Sequence, residues 1–150
     1  MNAGIRENVC LSAAGLAEGT NANTFKTTYA ITYNIGGRTY YKAATDNLTF
    51  STGTALAAKE VCVFFVWINS AGTVTTTQSS IVPNATAASG YVKTAFEWPH
   101  SSTLACIGAL RVVTNNSATF TPGSTDLGAA DVVDTFYDVA LDYSQPITDA

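Results

Sequence analysis

Apolar and polar residues alternate most plainly between Thr24 and Lys42. Tyr29, Ile31, Tyr33 and Ile35 fall on one side, with Ala30, Thr32 and Asn34 on the other, and a period of two predicts a strand with one buried face. Gly36-Gly37 follows at once and supplies the two positive-φ positions of a two-residue type I′ turn. A loop of that length sets Ile35 opposite Arg38 and Tyr33 opposite Tyr40, an aromatic pair stacked across a hairpin.

Two further stretches are apolar on both faces. Val61 to Ile68 is apolar throughout, a short Ser70-Ala71-Gly72 loop follows, and the return stretch Thr73 to Ser80 is polar almost everywhere except Val74. The first reads as a central strand and the second as an edge strand that solvates itself with hydroxyls. Leu104 to Thr114 repeats the two-faced pattern. Leu104, Cys106, Leu110 and Val112 fall on one face, Ala105, Ile107, Ala109 and Val113 on the other, and Gly108 marks a bulge or a close backbone approach. Ala55-Leu56-Ala57-Ala58 allows one short turn of helix. Pro83 to Gly90 and Trp98 to Ser102 read as loops, and Asn115-Asn116-Ser117 and Phe120-Thr121-Pro122-Gly123 as turns.

The last third fits two periods. A helix would gather Val133, Phe136, Tyr137, Ala140 and Leu141, and a strand would alternate Val133, Thr135, Tyr137, Val139 and Leu141 with Asp134, Phe136, Asp138 and Asp142. The valine pair and the lack of strong helix formers favour the strand. The pattern as a whole predicts an all-β fold, an antiparallel β-sandwich or jelly-roll-like barrel with short hairpins. At 150 residues the chain suits a single β domain over 15–150, with residues 1–14 as an N-terminal arm.

Composition changes this picture in one respect. Charged residues make up 12% of the chain and apolar ones 47%, with Thr and Ala the two commonest residues, against a usual charged share of about 25%. Such a surface is either coated with small hydroxyl and amide side chains or covered by partners. The deficit is uneven: no Lys or Arg follows Arg111, whereas Asp126, Asp131, Asp134, Asp138, Asp142 and Asp149 do. That acidic end is expected to stay in solvent or to meet a basic partner patch. A net charge of −4 lacks the basic footprint of a nucleic-acid binder. No apolar run nears the roughly 18 residues of a membrane helix, and no basic stretch followed by an apolar run marks a secretory leader.

Candidate chemistry is sparse. His100 stands alone in a loop segment, and no serine or cysteine sits in a strained turn or helix start beside it. Cys10, Cys62 and Cys106 are far apart and odd in number; Cys62 and Cys106 lie in apolar runs, where a free thiol packs as a small hydrophobe, with a Cys62–Cys106 bridge as the alternative. The C-terminal aspartates lack the spacing of a calcium loop, and Gly36-Gly37 has no phosphate-loop continuation. No cofactor is expected, and the chain does not read as an enzyme. Trp67 lies in the most apolar run and reads as core. Tyr40, Tyr41 and Trp98 remain as aromatic platforms for a partner.

Three phrases carry a family likeness. Tyr40-Tyr41-Lys42-Ala43-Ala44-Thr45-Asp46-Asn47-Leu48, the stretch from Ala57 to Val74 and the stretch from Ile107 to Leu127 resemble small structural proteins of tailed bacteriophage particles. That resemblance implies a capsid decoration or cement protein on the outside of the virion head, made in the host cytoplasm. Its implied partners are the major capsid protein and further copies of itself, as in a trimer, with no nucleic acid and no membrane. The two-faced apolar strands Val61–Ile68 and Leu104–Val113 are expected to take part in such covered contacts. A carbohydrate- or receptor-binding β module of a tail fibre, with Trp98 or Tyr40-Tyr41 as its platform, is the other reading.

Overall fold

The computed structural model describes residues 8–84 and 98–139, and among these there is no helix. The strands are β1 (Val9–Cys10), β2 (Leu16–Glu18), β3 (Phe25–Thr27), β4 (Ile31–Ile35), β5 (Arg38–Lys42), β6 (Thr45–Leu48), β7 (Glu60–Ile68), β8 (Val74–Gln78), β9 (Val82–Pro83), β10 (Ala105–Thr114) and β11 (Val132–Asp138). They form three sheets, β1-β4-β5, β2-β3-β6 and a larger central one in the order β11-β10-β7-β8, with β9 beside β7. Every pairing is antiparallel. The fold is all-β.

The β4–β5 hairpin has the expected register, Tyr33 opposite Tyr40 and Ile35 opposite Arg38, and Gly36 and Gly37 take φ of 58° and 78°. Its first strand starts later than the alternation implies. Tyr29 donates its backbone N–H to Ala14 O at 3.1 Å and is exposed, while Phe25 to Thr27 form a separate strand between β2 and β6. The Tyr29 ring lies across Gly15, whose φ is 61° and where a Cβ would fall 2.6 Å from Tyr29 Cδ2. The two residues therefore turn the chain out of the alternating pattern together.

β7 and β10 pair along their length and lie at the centre of the molecule. Val61 to Ile68 and Ala105 to Thr114 are buried at every position. These two-faced strands are covered within a single chain, so they are not surfaces awaiting a partner. The bulge foreseen at Gly108 is present between Cys106 and Gly108, and it changes the faces. Cys106 pairs with Trp67 and Ala109 with Phe65, whereas Ala105 pairs with Ile68 and Leu110 with Phe64. Ile107 is the extra residue that resets the alternation, so Cys106 shares a face with Ala109 and not with Leu110. A Cβ at Gly108 would fall 2.5 Å from Tyr137 O and 2.3 Å from Leu16 Cδ1; glycine is needed there because β2 and β11 approach so closely.

Two buried clusters flank the central strands. One gathers Phe25, Ile31, Tyr33, Val66, Trp67 and Ile107, the other Leu56, Cys62, Phe64, Leu110, Phe120 and Leu127. Phe50 joins them, with ring centroids 5.3 Å from Phe25, 5.0 Å from Phe64 and 6.1 Å from Phe120. Each fully buried Phe contributes about 1.5–3 kcal/mol. Leu56 exchanges backbone hydrogen bonds with Phe120 at 2.8 and 3.1 Å, so the alanine-rich stretch is extended and not helical: Leu56 gains more from the core than a lone turn gains from propensity.

Pro83, the first residue of an expected loop, instead pairs with Glu60, and Val82 before it pairs with Val61. Proline is tolerated at that edge because no ladder partner needs its missing N–H. Residues 85–90 of that expected loop lie outside the described residues. β11 confirms the strand reading up to Asp138; Ala140, Leu141, Asp142 and Asp149 lie outside the described residues. Of the stretch expected as an arm, residues 1–7 also lie outside them, while Val9 and Cys10 pair with β4 and Ala14 is fully buried.

Candidate partner-binding surface

An edge strand presents unpaired N–H and C=O groups, and a stable monomer usually closes them. β8 is closed by side chains. Thr76 donates its N–H to Ser51 Oγ at 3.0 Å while Ser51 donates its own to Thr76 Oγ1 at 2.9 Å. Two residues further on, Thr54 donates to Gln78 Oε1 at 2.7 Å, and Gln78 Nε2 returns a bond to Thr54 O at 2.8 Å. Ser51 to Thr54 thus lie along β8 as a strand substitute. The expectation of a hydroxyl-rich edge is met, but much of that hydroxyl and amide chemistry serves the protein and not water.

In the smaller sheet β2-β3-β6, side chains of β6 tie down the loop between β2 and β3. Thr20 donates from its N–H to Asp46 Oδ1 at 3.0 Å and from its hydroxyl to Asp46 Oδ2, and Asn21 donates to Asn47 Oδ1 at 2.8 Å. These bonds hold the Asp46 carboxyl below the usual carboxylate range, the Thr20 hydroxyl being the largest cause. At the other side of that sheet Leu16 donates its N–H to Asp138 Oδ1 at 3.0 Å.

β5 has no such closure. It ends its sheet, and among the described residues no hydrogen bond reaches its outer side. Arg38, Thr39 and Tyr41 are exposed, Tyr41 by 70%. Tyr40 points the other way and stacks on Tyr33 at 5.5 Å and 21° between planes; Tyr33 in turn donates its hydroxyl to Asn69 O at 3.0 Å. Tyr40 and Tyr41 therefore occupy opposite faces of β5 and cannot share one platform. Leu11 donates its N–H to Thr32 O at 2.8 Å, Thr32 sits opposite Tyr41, and Leu11 is itself exposed. Tyr41 and Leu11 thus flank Thr32 on the outer face of this sheet.

Trp98 is elsewhere, half-buried, with its ring edge-to-face against Phe65 at 6.3 Å. Leu11 and Tyr29 are exposed apolar residues that sequence pattern placed differently: Leu11 lies in a stretch expected to be an arm, and Tyr29 on an alternation expected to face inward. Gly15 is the only local signal for the second, since a positive-φ glycine before a strand marks a turn.

The remaining candidates are dispersed. His100 is exposed in its loop. Among the described residues the three cysteines are buried and form no disulfide; Cys62 pairs with Val112 and Cys106 with Trp67, at opposite ends of the β7–β10 ladder. Burial pushes the Cys62 thiol up to about 11 and the Cys106 thiol up to about 12, the opposite of what a nucleophile or metal ligand requires. Trp67 is core, its Nε1 donating to Thr77 Oγ1 at 2.7 Å. Asp126, Asp131 and Asp138 are exposed, while Asp134 is half-buried with its carboxyl pushed up by that burial. No family model matches the chain, and neither the curated proteins nor the solved structures compared with it give a match.

Proposed function

We propose that this protein is a non-enzymatic virion structural protein, a capsid decoration or cement protein that binds the outside of a bacteriophage head and stabilises contacts between capsomers. The observation that carries the reading is the edge of β5, which no hydrogen bond reaches among the described residues, with Tyr41 exposed beside it, in a domain that closes its β8 edge with its own side chains. A cement protein must attach repeatedly in one geometry. An open strand edge fixes register through the backbone, and an aromatic side chain adds area at little cost in side-chain entropy. The low charge supports the same reading, since interface cores are depleted in charged residues.

The arrangement of sheets is read as sandwich-like, with the small sheets set over the central one around Phe50. The partners in this proposal are the major capsid protein and other copies of the chain, no nucleic acid or membrane takes part, and the site of action is the capsid surface after synthesis in the host cytoplasm. Co-sedimentation with empty shells assembled from a tailed-phage major capsid protein tests it. Binding at micromolar concentration that is lost in Tyr41→Ser is the expected result. A folded protein that stays free in the supernatant overturns the proposal.

A further inference from the structure

Only alternate residues of an edge strand turn their N–H and C=O groups outward. In the β4–β5 hairpin the type I′ turn bonds its flanking residues, so the bonded pairs are Ile35–Arg38, Tyr33–Tyr40 and Ile31–Lys42. Thr39 and Tyr41 therefore turn their backbone groups away from β4. Thr32, opposite Tyr41, shows the same alternation on the other side of the hairpin: it accepts the Leu11 N–H at 2.8 Å and donates its own to Ser12 Oγ at 3.0 Å. Among the described residues no hydrogen bond reaches the backbone of Thr39 or Tyr41 in that way.

The side chains of this edge add a second requirement. Arg38, Tyr40 and Lys42 share the inward face of β5 at a period of two, with Tyr40 packed against the rim of a buried cluster. Among the described residues neither the Arg38 guanidinium nor the Lys42 ammonium meets a carboxylate. Lys26, by contrast, lies close enough to Asp46 to help hold that carboxyl down, and Arg111 is engaged. The β5 edge thus presents two backbone positions to be bonded and two unneutralised cations with a ring between them.

We propose that this edge takes an extended acidic segment of a partner protein, added antiparallel to β5 as a further strand, with two carboxylates four residues apart around an aromatic or aliphatic side chain. In that register the carboxylates lie opposite Lys42 and Arg38, the apolar side chain lies opposite Tyr40, and the two intervening residues bond Tyr41 and Thr39. A nucleic acid or a glycan has no ladder of N–H and C=O groups to offer those two residues. A second β5 has one, but ring-centred pairing sets Arg38 opposite Lys42, and like charges directly opposite oppose pairing. The chain's net charge of −4 disfavours an acidic segment elsewhere on its surface, which directs it to this edge.

This deepens the proposed function and rests on its reading of β5 as the attachment edge, adding the chemistry of the capsid segment that is bound. The test uses no shell, so the two failures are distinct: peptide binding without shell binding removes the capsid, and shell binding without peptide binding removes the acidic strand.

The probe is a capped seven-residue peptide with aspartate at its second and sixth positions, phenylalanine at its fourth and threonine elsewhere, titrated into isotopically labelled protein with amide exchange read by NMR. Binding slows exchange at Thr39 and Tyr41 and leaves Tyr40, already bonded to Tyr33, unchanged. Replacing both aspartates by lysine weakens binding roughly tenfold, and Arg38→Glu combined with Lys42→Glu inverts the preference. The two peptides need no protein variant, so the charge requirement is tested even if the double substitution does not fold. Equal affinity for the two peptides, no binding, or binding without protection of Thr39 and Tyr41 overturns the proposal. So does self-association that protects these amides in the absence of peptide, which assigns the edge to a second copy.

Discussion

β8 and β5 are edge strands of the same length with opposite treatment. β8, rich in Thr and ending in Gln78, is closed by reciprocal bonds with Ser51 and Thr54; β5, aromatic and flanked by two cations, has no such bond among the described residues. Composition alone suggests the reverse, with the hydroxyl strand facing water and the aromatic one covered. The difference teaches that small polar side chains close a backbone edge from within. Large rings and long cations cannot imitate a strand in that way, and among the described residues nothing covers the edge built from them.

The largest expected effect comes from removing the support of the closed side. Phe64 sits opposite Gln78, touches Phe50 and Phe120 and is 1% exposed. Phe64→Ala is expected to cost about 3–5 kcal/mol in urea denaturation. A loss under 1 kcal/mol would mean that the two clusters do not depend on this ring.

Next is the closure itself. Thr76→Val keeps the shape but leaves the Ser51 N–H without its acceptor, at a cost of about 1–3 kcal/mol. It should also make β8 sticky, so that light scattering rises with concentration. Thr39→Val on β5 is the matched control, expected to change stability by less than about 0.5 kcal/mol because Thr39 is exposed and nothing described bonds to it. Equal losses at the two positions would erase the distinction between the edges.

Tyr33→Phe tests the platform beneath β5. Losing the hydroxyl bond to Asn69 O is expected to cost about 1 kcal/mol by thermal unfolding while leaving the Tyr40 stack in place.

The smallest effect concerns pH. Asp46 is held below its ordinary value by Thr20, so its contribution is present above the unfolded-state value and is lost as pH falls through the lower, folded one. The Thr20 amide resonance should therefore move at a pH below that of a free aspartate. A midpoint at the ordinary value would mean that the bonds from Thr20 to Asp46 do not persist in solution.

Much of this contrast was legible in the sequence. Gly36-Gly37 and the flanking alternation dictate the β4–β5 register because a two-residue loop leaves no freedom. The Val61–Ile68 run dictates a central strand because nothing else buries both faces. Tyr41 was legible as a candidate, but that Tyr40 turns inward follows only from its pairing with Tyr33. Three features were hidden for physical reasons. The inserted Ile107 reverses faces N-terminal to Gly108 without altering composition. The closure of β8 joins Ser51 to Thr76 across 25 residues, and no local pattern encodes so distant a partner. The outward turn of Tyr29 depends on Ala14 and Gly15, which belong to another part of the chain.

Amide hydrogen exchange, read at β5 and β8 in dilute monomer and again in the assembled state, tests the central claim most directly. The open-edge account predicts that the Thr76 amide is slow in both states, and that outward-facing amides between Thr39 and Lys42 are fast in the monomer and become protected on assembly. Protection of β5 already complete in the monomer, or unchanged by assembly, would contradict it.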